Sequence, residues 1–157
     1  MSARYFVDTN ILMYAHDVSA GAKHLRARAV VEELWRSRSG VISTQVLQEL
    51  CVNLQRKAAK PLDDEAVREI VTDYLSWEVV VNDGESILEA LEVARQHRLS
   101  FWDALVIQAA ERSGAAVLYS EDLSDGQMYG QVRVVNPLGA GFTSTARPEA
   151  ASPQTEG

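Results

Sequence analysis

The chain of 157 residues contains one cysteine, so it can form no intramolecular disulfide and no cysteine-rich metal site. Cys51 lies in the apolar stretch Leu50-Cys51-Val52, where a small buried hydrophobe is expected rather than a reactive thiol. The three histidines, His16, His24 and His97, offer no pair at metal-ligand spacing and read as solvent-facing helix positions. No apolar run approaches the roughly 20 residues that a membrane helix needs. The N-terminus runs straight into the apolar stretch Tyr5-Phe6-Val7 without the features of an export signal, and a cytoplasmic protein is expected.

Acidic residues outnumber basic ones, and the net charge of −7 is unevenly spread. Residues 1–60 carry nine Lys or Arg against five Asp or Glu, a balance of +4, whereas the remainder carries six against seventeen, a balance of −11. A basic half able to meet phosphates and an acidic half able to hold cations fit this split, and so does ordinary solvated helix surface.

Apolar patterning predicts an alternation of strands and helices. A buried strand over 4–8 stops at Asp8-Thr9-Asn10, and a helix starts from Asn10. A second helix is expected over 23–38, with Leu25, Ala29, Val30, Glu33 and Leu34 at helical spacing, followed by a strand over 41–43. Thr44 is the expected cap of a third helix to about residue 58, and a fourth runs over 63–76. A strand over 79–81 precedes a fifth helix over 85–97, with Leu88, Leu91 and Ala94 facing inward. Ser100 caps a sixth helix over 101–113 that closes at Gly114, and strands follow over 116–119 and 132–135. From Gly139 the composition turns to Gly, Ser, Thr, Pro and Ala, which predicts a domain over 1–138 and a flexible tail over 139–157.

This alternation implies an α/β fold, a mostly parallel sheet flanked by helices. Such sheets bind ligands beyond the carboxyl ends of their strands, where the strand order reverses. Asp8 and Asp122 both follow apolar strand runs, Glu49 lies in the otherwise apolar Val46-Leu47-Gln48-Glu49-Leu50, and Asp103 sits in the first turn of the sixth helix. Each has an ordinary explanation as well: Asp8 as a helix cap, Asp103 as a partner of the helix dipole, Asp122 as a turn residue, Glu49 as helix surface. Gathered in one cleft, however, four acids would raise one another's pKa, and a cation would relieve that repulsion. Oxygen ligands without His or Cys select hard ions, so Mg2+ or Mn2+ is expected.

The four segments together resemble a known family. Phe6-Val7-Asp8-Thr9-Asn10-Ile11-Leu12 is similar to the opening of PIN-domain ribonucleases, and Thr44-Gln45-Val46-Leu47-Gln48-Glu49-Leu50 resembles their second motif. Leu99-Ser100-Phe101-Trp102-Asp103-Ala104-Leu105 resembles the third, Val117-Leu118-Tyr119-Ser120-Glu121-Asp122-Leu123 the fourth, and Val134-Val135-Asn136-Pro137 the closing strand. The resemblance spans residues 4 to about 138, and size and layout are most similar to VapC-type toxins of toxin–antitoxin pairs. It implies a PIN-like three-layer fold with about five parallel strands, Mg2+-dependent endonucleolytic cleavage of RNA, homodimerisation and a VapB-type antitoxin partner. Asp8, Asp103, Asp122 and Glu49 would be both catalytic residues and metal ligands, with Asn10 and Ser120 orienting them from behind. Ser120 departs from the Thr or Asn common in the fourth motif, and Glu121 and Asp125 add carboxylates without an assigned role.

Around this site, Arg56, Lys57 and Lys60 could guide an RNA backbone, although basic residues also suit a helix C-terminus. Trp35, Trp77 and Trp102 sit among apolar residues, which predicts core or interface packing rather than base stacking, and Leu34 with Trp35 could line a groove for an antitoxin helix. Two other readings stand beside the nuclease. A phosphohydrolase of the haloacid dehalogenase type would use an aspartate after the first strand as nucleophile, but its second aspartate is replaced here by Asn10. A PIN-like module with a silent site would bind RNA or protein without cleavage.

Overall fold

The computed structural model describes residues 2–143. Strand β1 (Tyr5–Val7) is buried on both faces, as the short apolar run requires, and leads directly into α1 (Thr9–His16). A 3-10 turn (Val18–Ala20) precedes α2 (Ala22–Ser37), then come β2 (Gly40–Ser43), α3 (Thr44–Arg56) and α4 (Asp64–Tyr74). The second half contains β3 (Glu78–Val80), α5 (Gly84–His97), α6 (Phe101–Ser113), β4 (Val117–Tyr119), β5 (Met128–Tyr129) and β6 (Val132–Val135).

The strands form one sheet in the order β3-β2-β1-β4-β6-β5. The first five in that order run parallel, and β5 joins antiparallel at the edge. The expected five-stranded parallel sheet is therefore present with one added edge strand, whose two residues are too short to carry any periodicity. β1 lies between β2 and β4, so successive connections leave it in opposite directions. A crevice opens at such a reversal, at the carboxyl ends of β1 and β4. Helices flank the sheet, with α1 packed on α2 and α3, and α5 on α6. Phe6, Ile11, Leu12, Ile42, Leu50, Leu54, Ile107 and Leu118 are fully buried in the main core.

Several local expectations need correction. The cap of α3 is Ser43, whose Oγ accepts from the Val46 N–H at 3.3 Å. Thr44 instead pairs with Asn82, its hydroxyl donating to Asn82 Oδ1 and accepting from the Asn82 N–H. On α5, Leu88 and Leu91 face solvent, and the inward face is made by Ser86 and Ala90 because α5 lies close against Ala104 and Leu105 of α6. Leu25 is exposed, while His24, expected at the surface, is buried with Nδ1 bonded to the Tyr14 carbonyl at 2.9 Å. Leu34 is fully buried yet lines, together with Trp35, a pocket of about 460 Å3, and Trp35 packs on Tyr74 and Trp77. At the far end, Phe142 still meets the ring of Tyr119 edge-on. Most of the expected tail, from residue 144, lies outside the described residues. No helix among those residues is long and apolar enough to cross a membrane.

Gly40 opens β2 beneath the Trp77 ring, and a Cβ there would stand 2.5 Å from that ring. Overfilling so tight a contact forces side chains off their rotamers. Gly40→Ala should therefore lower stability by about 1–3 kcal/mol, measured as a shifted denaturant midpoint with unchanged slope.

Candidate functional site

Parallel pairing sets Val7 beside Tyr119, which puts the residues that follow them, Asp8 and Ser120, at one rim of the sheet. The Asp8 N–H continues the ladder by donating to the Tyr119 carbonyl at 2.9 Å. Asp8 has extended backbone and caps α1, with Oδ1 accepting from the Thr9 N–H at 2.8 Å. Its Oδ2 accepts from the Ser120 hydroxyl at 2.9 Å. Burial pushes the Asp8 carboxyl up to about 6; the Ser120 and Thr9 hydrogen bonds pull the other way, and the charges of Glu49 and Asp122 add to the rise. The capping role and the site role therefore coincide in one side chain.

Ser120 is a bracket. While donating to Asp8, its Oγ accepts from the N–H groups of Asp122 at 3.2 Å and Leu123 at 3.4 Å, which fixes the turn after β4. Asn10 holds the same turn from the α1 side: its Nδ2 donates to Asp122 Oδ2 at 3.0 Å and its Oδ1 accepts from the Glu121 N–H at 3.4 Å. Glu121 itself turns away from the cleft, bonded to the Tyr14 hydroxyl at 2.8 Å and to Lys23 Nζ at 2.6 Å. Asp125 accepts from the Asn136 N–H at 2.9 Å and serves the chain's return toward the closing segment.

Glu49 comes from α3 and is half-buried. Thr9 Oγ1 donates to its Oε1 at 2.8 Å, and Gln45 Nε2 donates to its Oε2 at 3.1 Å. Gln45, buried one helical turn before Glu49, also reaches the Trp102 carbonyl at 3.3 Å, which ties α3 to the start of α6. Neither Thr9 nor Gln45 stands out in the sequence, because only the fold shows which acid lies across from each. Asp103 follows Trp102 in the first turn of α6, its N–H capped by Ser100 Oγ at 3.1 Å. Burial raises the Asp103 carboxyl above its usual range; the Ser100 hydrogen bond opposes this, and Asp122 and Glu49 reinforce it.

All four acids line one cleft of about 580 Å3, together with Thr9, Asn10, Gln45, Asn53, Lys57 and Trp102. Lys57 caps the C-terminal end of α3 and also faces the cleft. Trp77 is buried in the core, whereas Trp102 is 61% exposed at the rim and is not a core residue of this chain. Among the described residues, no histidine lines the cleft. Nor do any three acidic, His or Cys side chains among them converge into a ready-made ion site. Hydrogen bonding explains this, since Glu49 is turned toward Thr9 and Gln45, and Asp122 toward Asn10. The donor set still fits a hard divalent cation: it is all oxygen, and the charges of Glu49 and Asp122 raise the carboxyls of both Asp8 and Asp103.

A carboxyl whose folded pKa exceeds its ordinary value of 3.8 holds its proton more readily when folded. The stability contributed by neutral Asp8 is present below that value and is lost as pH rises through about 6. Each tenfold change in proton affinity is worth roughly 1.4 kcal/mol, so the loss is on the order of 3 kcal/mol. Asp8→Asn should accordingly raise the thermal midpoint of the metal-free protein near neutral pH, with a smaller effect near about pH 4, measured by calorimetry. Ser120→Ala removes a hydrogen bond that favours the ionised form, so the Asp8 carboxyl should titrate at higher pH when followed by carboxyl NMR.

With this geometry in view, comparisons with known proteins become informative. The family model of the PIN domain matches residues 5–124. The fold is similar to that of VapC20 from Mycobacterium tuberculosis, described as a sarcin–ricin loop cleaving toxin, with a TM-score of 0.59 and 24% identity over 75% of this chain and 89% of that one. It is also similar to PAE2754 from Pyrobaculum aerophilum, with a TM-score of 0.51 and 25% identity over 78% and 82%. A further match is VapBC2 from Rickettsia felis bound to a promoter DNA fragment, with a TM-score of 0.55 and 20% identity over 83% and 96%. A search of curated proteins finds no match. Because the family model covers most of the sequence, including all four acids and strands β1 to β4, the chain belongs to the PIN-domain family.

Proposed function

We propose that this protein is a metal-dependent endoribonuclease, the toxin of a VapBC-type toxin–antitoxin pair. The observation that carries the reading is the single cleft at the strand-order reversal that Asp8, Glu49, Asp103 and Asp122 all line. The likeness to a toxin described as cleaving the sarcin–ricin loop supports RNA as substrate, and the likeness to VapBC complexes supports a VapB-type antitoxin partner.

Asp8, Asp103 and Asp122 would hold Mg2+ or Mn2+, directly or through water, with Glu49 completing the acidic set. The chemistry such an ion supplies is polarisation of the scissile phosphate, a lowered pKa for an attacking water and neutralisation of the leaving oxygen. The chain's own residues prepare the place. Ser120 and the Thr9 N–H hold both oxygens of Asp8, Thr9 and Gln45 hold those of Glu49, and Asn10 orients Asp122. Carboxylates fixed in this way need little reorganisation at the moment of reaction. The resulting products would carry 5′-phosphate and 3′-hydroxyl ends.

The proposal extends to a cytoplasmic homodimer. The exposed Ile87, Leu88 and Leu91 on α5 offer apolar surface for such an association.

The deciding experiment incubates the purified protein with total RNA and Mn2+, with and without chelator, and maps the cut ends. Chelator-sensitive cleavage is expected. No cutting under any metal condition, combined with equal and negligible calorimetric heats when Mn2+ is titrated into wild type and Asp103→Asn, would leave a silent scaffold. Asp8→Asn should reduce cleavage by at least about 100-fold while the protein stays folded, and Asn10→Ala by roughly 10- to 100-fold, the range expected for a group that orients a metal ligand. Undiminished cleavage by soluble, folded Asp8→Asn would remove Asp8 from the reaction.

A further inference from the structure

Lys23 stands where a cation is poorly accommodated. It is the second residue of α2, a helix whose N-cap Gly21 offers no side-chain bond and whose first turn holds no acid. The positive end of the helix dipole repels an ammonium group there. What holds it is Glu121, from the turn after β4, with Lys23 Nζ 2.6 Å from Glu121 Oε2. The Glu121 side chain is only 22% exposed, so the pair is screened less than a surface one. Tyr14 completes the clasp. Its hydroxyl donates to Glu121 Oε1 at 2.8 Å, and its ring centroid lies 5.1 Å from Lys23 Nζ. Its carbonyl accepts from His24 Nδ1 at 2.9 Å, which fixes Tyr14 to the same turn of α2.

Glu121 and Asp122 are consecutive, yet only Asp122 lines the acidic cleft. The bonds that hold this bend from within are long. Ser120 Oγ accepts from the N–H groups of Asp122 at 3.2 Å and Leu123 at 3.4 Å, and Asn10 Oδ1 accepts from the Glu121 N–H at 3.4 Å. The two bonds to the Glu121 carboxylate are shorter, and bonds to an ionised group are roughly twice as strong as neutral ones. With one side chain drawn this firmly to α1 and α2, its neighbour is left facing the cleft.

We propose that Lys23 and Tyr14 are positioning residues for Asp122: by clasping Glu121 they fix the turn after β4 so that it offers the cleft one carboxylate in a set place. The proposal rests on the nuclease reading and deepens it, because Asp122 is a metal ligand in that reading. Neither Lys23 nor Tyr14 lines the cleft, so their effect passes through Glu121.

The test measures Mn2+ binding to the full-length protein by calorimetry and, in parallel, the amide resonances of the metal-free protein. Lys23→Met keeps the aliphatic stem and removes the charge. It should weaken Mn2+ binding by roughly 10-fold, the lower end of the range for groups behind a metal ligand. The Mn2+ needed for half-maximal cleavage should rise by the same factor, with KM for RNA unchanged, and Lys23→Arg should restore most of the affinity. Glu121→Gln should cause a similar loss, and the double variant should be no worse than either single one, because residues acting as a unit are not additive. In metal-free Lys23→Met the Glu121 and Asp122 amide signals should move. Circular dichroism identifies a variant that fails to fold, and Tyr14→Phe, which loses only the hydroxyl, then carries the test in the same direction. Unchanged Mn2+ affinity in folded Lys23→Met and Tyr14→Phe overturns the proposal. So do additive losses in the double variant, and so does a raised KM with unchanged Mn2+ affinity, which would make Lys23 a phosphate contact. The two readings fail separately. A wild type that binds Mn2+ and cleaves, matched by Lys23→Met, keeps the nuclease and removes the clasp. A wild type that does neither, with moved Asp122 signals in Lys23→Met, does the reverse.

Discussion

The structure depends on a carboxylate kept out of water at the end of β1. Burying an acid is unfavourable unless its oxygens are bonded. Asp8 satisfies that demand with one local donor, the Thr9 N–H, and one distant donor, the Ser120 hydroxyl, 112 residues away. The distant bond is available because β1 and β4 are sheet neighbours in a register that carries both chains to the same rim. A slip of the β4 pairing would withdraw Ser120 and leave a buried acid half-satisfied. The polar bond at the rim and the apolar pairing below it thus support the same register.

From that point hydrogen bonds spread outward through side chains that are not themselves acids. Thr9 leads from the β1 end to Glu49, Gln45 leads from Glu49 to the start of α6, and Asn10 leads to the turn bearing Asp122. Three helices and two strands are joined by these few bonds. Linked bonds of this kind hold their members in one arrangement more firmly than separate bonds would, most of all at the buried Asp8 end. Glu121 belongs to the same scaffold despite its charge. Lys23 and Tyr14 draw it to the α1–α2 side, which leaves Asp122 as the acid of that turn facing the cleft.

The four acids were legible in the sequence because each interrupts an apolar run at a strand end or on a helix, places where a lone charge needs an explanation. The alternation of strands and helices was legible for the same reason, since strands buried on both faces read as short, continuous apolar stretches. Features set by a partner element were hidden. Leu88 and Leu91 follow a helical stripe, yet α5 approaches α6 closely enough that small residues, Ser86 and Ala90, form its inner face. Ser43 and Thr44 are equally good caps on paper, and only the proximity of Asn82 decides which hydroxyl is engaged elsewhere. Trp102 sits in a run that looks like core throughout. The helix begins at the cleft rim, so the first residues of that run emerge from the protein before the rest enters it.

Charge poses the remaining physical problem of the proposed reaction. Four acids facing a polyanion repel it, and a net charge of −7 adds to the long-range part of that repulsion. A divalent ion offsets the local repulsion only when bound, and Lys57 contributes a single positive charge at the cleft. The proposed reaction would therefore depend on the bound ion both to draw the phosphate in and to hold the acids together, so that binding of substrate and binding of metal would be coupled.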